Sequence, residues 1–154
     1  MKSFLKYLGF IWAFPVTFFG LLYALVFALL RWYRVRGIVG DALVFEVNVE
    51  KSPKWLLRLW KNWAGHAIGN VIVLRHKPET MPWLLTHEMK HVDQVMRLGV
   101  FQPIMYVACY LAIRIGCKGS DPYFSNPFEV DARRAAGQVV DIEGTAKRLA
   151  AKKP

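Results

Sequence analysis

His87, Glu88 and His91 stand in the order H-E-x-x-H. On a helix, positions i and i+4 share one face, so both imidazoles can reach a single metal ion. The glutamate between them turns roughly 100° away, near enough to hold a water bound to that metal. The chemistry this suits is zinc-assisted hydrolysis. A helix must carry the three residues, and its ends are marked. Thr80 can cap it, Pro82 fits its first turn and Gly99 can end it. Between those ends Leu84, His87, His91, Val95 and Leu98 recur at helical spacing, which puts the histidines in an apolar stripe facing the interior.

Two histidines leave a catalytic zinc one protein ligand short. His66 and His76 lie upstream, in segments that read as a strand and its edge. Downstream, Asn126-Pro127-Phe128-Glu129 reads as a helix start, with Asn126 as cap and Pro127 in first position. Glu129, Ala132, Ala136 and Val140 then share a face whose small residues permit close approach to the histidine helix. Asp131 falls on another face with Ala135 and Gln138. Glu129 is thus the preferred third ligand and Asp131 the second choice. Asn126-x-x-Glu129 also has the form of a capping box, in which the glutamate bonds back to the cap.

The pairing of His87-Glu88-Met89-Lys90-His91 with a later Glu129-Val130-Asp131-Ala132 resembles the gluzincin metallopeptidases. The stretch from Ala67 to Gln138 is similar to small bacterial and phage-associated predicted peptidase domains. Gln94 matches the last position of their H-E-x-x-H-x-x-Q form, and Tyr123-Phe124-Ser125-Asn126-Pro127-Phe128-Glu129 matches Tyr-x-x-Asn-Pro-x-Glu. The resemblance implies an α+β, mainly helical, zincin-like core with a small β-sheet. It implies Zn²⁺ held by His87, His91 and Glu129, with Glu88 as the general base for peptide-bond hydrolysis. Tyr123 is a candidate donor to the developing oxyanion. Asp93, Gln94 and Asp131 are polar candidates for orienting the histidines. The chain departs from secreted members in its apolar N-terminus and its 154-residue length, which leaves little room for a deep cleft.

Residues Leu5 to Leu30 are almost wholly apolar, long enough to cross a bilayer as a helix. Lys2 and Lys6 flank one end, and Arg31, Trp32, Tyr33, Arg34 and Arg36 the other. No small-x-small cleavage site follows, as a signal peptide would need. Pro15 and Gly20 leave two forms open, a kinked single span and a re-entrant hairpin. If the segment spans, the stronger basic cluster after it puts the catalytic domain in the cytoplasm. The expected organisation is an anchor over 1–36, a metallopeptidase domain over 37–143 and a basic tail over 144–154.

Ala42–Val49 and Ala67–Arg75 read as strands able to pair beside the metal helix. Ser52–Gly65 reads as a basic aromatic helix, suited to covering a sheet or to lying on anionic lipid. The apolar stretch 98–117, interrupted by Gln102, Pro103 and Arg114, reads as a helix packed on the domain or resting on the bilayer surface. Cys109 and Cys117 show neither metal spacing nor a disulfide framework. The net charge of +10 comes without a nucleic-acid motif, and beside an apolar anchor it fits anionic lipid. The expected partners are the bilayer and a peptide or protein substrate, with no nucleic acid. Three functions compete: a membrane-anchored zinc metallopeptidase, a non-catalytic structural or membrane-inserting component of a phage or injection assembly that keeps the zinc for stability, and a lipid-binding adaptor with no metal. A structural site has no use for a general base, and Glu88 supplies one.

Overall fold

The apolar N-terminal run folds as one continuous helix, α1 (Lys2–Leu29), with Pro15 inside it. The structure, a computed structural model, describes residues 2–140, so the expected tail over 144–154 lies outside the described residues. No hairpin turn forms at Pro15 or Gly20, and Phe4–Leu29 is long and apolar enough to cross a membrane. One stripe of α1 is small: Gly9, Ala13, Gly20 and Ala24 are buried. That stripe docks on the rest of the chain. A Cβ at Gly20 would fall 2.3 Å from the Ile68 carbonyl oxygen, so only glycine permits this approach. Thr17 Oγ1 donates to Asn70 Oδ1 (2.9 Å) and accepts from the Asn70 backbone N–H (3.0 Å), closing the contact at the middle of the helix. Past Leu29 the chain reverses through Arg31, whose φ of 62° is left-handed.

Four strands follow in the spatial order β1 (Tyr33–Val39), β2 (Ala42–Val47), β4 (Val71–Leu74), β3 (Gly65–Ile68). The β1–β2 and β3–β4 pairs are antiparallel hairpins, while β2 and β4 run parallel at the centre. Both hairpin turns carry a left-handed glycine, Gly40 (φ 56°) and Gly69 (φ 61°). Nearly every β2 and β4 side chain is buried, because both faces of these strands are covered. On one face Phe45, Val47, Val71 and Val73 pack with Ala24 of α1, and with Leu56 and Trp60 from α2 (Lys54–Leu59) and its C-cap. On the other, Ala42, Val44, Ile72 and Leu74 pack with Leu84 and Val92 of α3 (Pro82–Leu98). Helices α4 (Phe101–Gly116) and α5 (Pro127–Ala135) complete an α+β fold.

Two sequence expectations change here. The expected strand over Ala67–Arg75 is split by the Gly69-Asn70 turn into β3's end and β4. The helix expected over Ser52–Gly65 is only Lys54–Leu59, since Gly65 already belongs to β3. Residue 36, the expected end of the anchor, lies within β1.

Candidate metal centre

Helix α3 presents the histidines. Its N-cap is Met81, with Pro82 in the first turn. Thr80 is not the cap: its hydroxyl turns back to the Lys77 carbonyl (2.7 Å) and closes the preceding 3-10 turn. Gly99 does end the helix, with its N–H on the Val95 carbonyl (2.7 Å). The chain then bends by 113° into α4. Glu129 sits in the first turn of α5, where the helix dipole favours a carboxylate. Asn126 fixes that turn. It is fully buried, its Oδ1 accepts from the Phe128 N–H (3.1 Å), and its Nδ2 donates to the Tyr106 carbonyl of α4 (3.1 Å).

His87, His91 and Glu129 come together, one ligand atom of each within 4.8 Å of the others, in a group able to hold a metal ion. Each imidazole Nε2 lies 3.3 Å from a Glu129 oxygen, His87 on Oε2 and His91 on Oε1. Tyr106 donates its phenol proton to Glu129 Oε1 (2.9 Å), while Oε2 is buried with no hydrogen-bond partner among the described residues. The 3.3 Å approach to Oε2 is therefore an electrostatic contact with poor hydrogen-bond geometry. Glu129 does not bond back to its own cap, so the capping-box role is not taken. Asp131 stands apart, half-exposed, accepting from Gln94 Nε2 (3.0 Å).

The Nδ1 atoms decide what the Nε2 atoms can do. Gln94 Nε2 donates to the Phe128 carbonyl (3.1 Å) and to Asp131 (3.0 Å), so its Oε1 must face His91 Nδ1, 2.8 Å away. An amide oxygen accepts only, so His91 Nδ1 carries the proton and a neutral His91 turns the Nε2 lone pair to Glu129. The Gln138 side-chain amide lies 3.0 Å from His87 Nδ1, without a second bond among the described residues to orient it as Gln94 is oriented. With both rings neutral, two bare nitrogens would face a carboxylate, all acceptors; a metal cation between them resolves that conflict, and in its absence, against the lowering by burial, Glu129 draws a proton toward His91, raising that imidazole's pKa. The donor set of two imidazoles and one carboxylate fits zinc with one position open.

Glu88 lies next to this group and outside it. It is 4% exposed, and a Cβ at Gly65 would fall 2.9 Å from its Oε1, so β3 passes directly over the carboxyl. Burial pushes the Glu88 carboxyl up to about 7 against the pull of His91 and His87, with Glu129's charge adding to the rise. Burial also favours a neutral Glu129, but the adjacent His87 and His91 rings and the Tyr106 hydroxyl outweigh it and hold that carboxyl far below the usual range.

A cavity of about 880 Å³ opens beside the centre, walled by β3, by Tyr23 of α1, by Tyr106 and Val107 of α4, and by Tyr123. The expectation of little room for a cleft fails because α1 and α4 supply walls from outside the minimal core. Tyr123 lines this cavity, its phenol pushed up by burial and by the charge of Glu129. His66, read from sequence as a strand residue, lines it too. Its ring stacks on Trp60 (centroids 5.0 Å), neither nitrogen has a hydrogen-bond partner among the described residues, and burial lowers its pKa to about 4. Tyr106 and Gln138 are the partners that sequence reasoning did not assign to the site. Tyr106 lies in an apolar helix read as packing, and Gln138 lies beyond the end of α5. Asp93 pairs with Lys90 and Arg97 and has no histidine contact among the described residues.

Compared with family models, curated proteins and solved structures, the chain matches none.

Proposed function

We propose that this protein is a membrane-associated zinc metallopeptidase. The observation that carries the reading is the buried group of His87, His91 and Glu129, with Gln94 Oε1 on His91 Nδ1, beside a second buried carboxyl, Glu88, that belongs to no ligand set. His87, His91 and Glu129 would hold Zn²⁺, which when bound supplies a Lewis acid and a water of pKa near ~7. Glu88 takes the water proton and returns it to the leaving amine. Burial raises the Glu88 carboxyl in the metal-free chain, which favours its giving the proton back as well as taking it. Tyr123, on the cavity wall, donates to the carbonyl oxygen as it gains charge. The cavity takes a peptide segment of a protein substrate, and the chain belongs at the cytoplasmic leaflet, where the basic flank of α1 meets anionic lipid.

The test is metal analysis with two variants. The wild type should hold about one zinc per chain. Glu88→Gln should keep that zinc and lose hydrolysis of a casein or peptide-library substrate by at least ~10²-fold. His87→Ala should lose both. Full activity in Glu88→Gln sinks the mechanism. Stripping of the metal by Glu88→Gln sinks the division between ligand and base. Stoichiometric zinc with no hydrolysis would favour the structural component instead.

A further inference from the structure

We propose that α1 does not cross the bilayer but lies along its surface, and that α4 shares the same lipid-facing side. Neither the metal nor the enzymatic reading bears on this placement. Helix α1 touches the rest of the fold along most of its length. Gly9 meets Met96 near one end, Thr17 bonds Asn70 in the middle, and Phe27 packs on Tyr33 near the other end. From Gly9 to Phe27 at 1.5 Å per residue is about 27 Å, close to the ~30 Å of a hydrocarbon layer. A transverse α1 with these contacts intact would carry its neighbours into that layer. Several of those neighbours are polar. They include the turn at Asn70, the Lys6–Asp41 ion pair, and β1, which runs back beside the helix. Strand β1 is an edge strand, with Arg34 and Arg36 exposed. An open sheet edge does not exist in hydrocarbon, where its N–H and C=O groups find no water.

The face of α1 turned away from the fold carries Ile11, Phe14, Phe18, Leu22, Leu25 and Leu29, all 46–83% exposed. That surface continues onto α4. Trp12 packs on Phe101 with ring centroids 5.9 Å apart, and Ile104, Val107, Leu111 and Ile115 of α4 are exposed beyond it. Arg31 and Arg114, at the far ends of the two helices, are exposed, which suits an anionic headgroup layer.

The test uses full-length protein in vesicles of phosphatidylcholine and phosphatidylglycerol, with Cys109→Ser and Cys117→Ser as background. Ser3→Cys and Glu50→Cys are then combined in one chain, placing one thiol in the first turn of α1 and one beyond its C-terminal end. A membrane-impermeant maleimide is applied to sealed vesicles and the labels per molecule are counted by intact mass. A surface-lying helix gives molecules with two labels or none, whichever way they face. A crossing helix gives one label on every molecule, and that result overturns the proposal. So does failure of the wild type to float with the vesicles. Ile104→Glu with Leu111→Glu should lower vesicle partition by roughly tenfold or more, since it charges the lipid-facing side of α4. Unchanged partition removes α4 from that surface. Because labelling requires no zinc and no substrate, a failed peptidase reading leaves this result intact.

Discussion

Gln94 holds His91 in a single tautomer: its amide oxygen sits 2.8 Å from Nδ1, while its amide nitrogen is committed to the Phe128 carbonyl and to Asp131. One side chain thus ties α3 to α5 and sets which nitrogen of His91 is free. Gln94→Met keeps the volume and removes the acceptor. Zinc affinity should fall about 10- to 100-fold, the usual scale for losing an outer-shell partner. Competition with a chromophoric chelator measures it, and an unchanged affinity would mean that the tautomer is set elsewhere.

Two tyrosines near Glu129 should separate by kinetics. Tyr106→Phe removes the donor on Glu129 Oε1 and keeps the ring against Phe128. It should weaken zinc binding by about tenfold or more, as expected for a hydrogen bond to a charged acceptor. Tyr123→Phe should leave zinc binding within about twofold and lower kcat by ~10²-fold if its phenol meets the oxyanion. Equal effects of the two variants on zinc would contradict the assignment.

Docking of α1 has its own test. Gly20→Val forces side-chain atoms into the space of the Ile68 carbonyl. It should destabilise the fold by about 1–3 kcal/mol, the range for overpacking. Leu22→Val, on the 54%-exposed side of the same helix, should change stability far less. Both should still bind vesicles, since the outer face is apolar in each. Thermal midpoints in micelles compare them, and equal midpoints would show that α1 is not held against β3.

His66 predicts an acid-side loss of stability. In the unfolded chain its imidazole takes a proton near 6.5, and in the folded chain only near 4. Between those values the unfolded state binds the extra proton. The stability is therefore full above pH 6.5 and drains as pH falls toward 4, by at most about 3 kcal/mol. His66→Phe, which keeps the stack on Trp60, should flatten that slope in denaturant titrations at pH 7, 6 and 5. A slope as steep as the wild type's would assign the acid sensitivity to another group.

How much of this was readable from the residues varies by element and for physical reasons. Helix α3 announced itself through Pro82, Gly99 and an apolar stripe, and α5 through Asn126-Pro127. Both rest on local capping chemistry and on burial of one face. Strand β1 carried no such pattern. It is an edge strand with most of its side chains exposed, so alternation never arises. The β3–β4 break was signalled by Gly69-Asn70, a turn dipeptide hidden within an apolar run. The docking stripe of α1 was visible as Gly9, Ala13, Gly20 and Ala24, but small residues at helical spacing do not say what they face. Tyr106 and Gln138 reach the centre through tertiary packing alone, from 19 and 51 residues along the chain from His87.

Helix α1 precedes, in chain order, every surface on which its small stripe rests, from β1 at residue 33 to the end of α3 at residue 98. At about 5–20 residues per second, the interval between making Ala24 and making Gly99 is on the order of 4–15 seconds. During that time the helix is a bare apolar rod beside the ribosome. Insertion machinery that accepts such rods competes with a docking partner that does not yet exist. The outcome is thus a race as well as an equilibrium. Slowing synthesis between Arg31 and Gly99, for example with rare codons, should raise the share of chains in which α1 is threaded across the bilayer and the sheet is left without its cover.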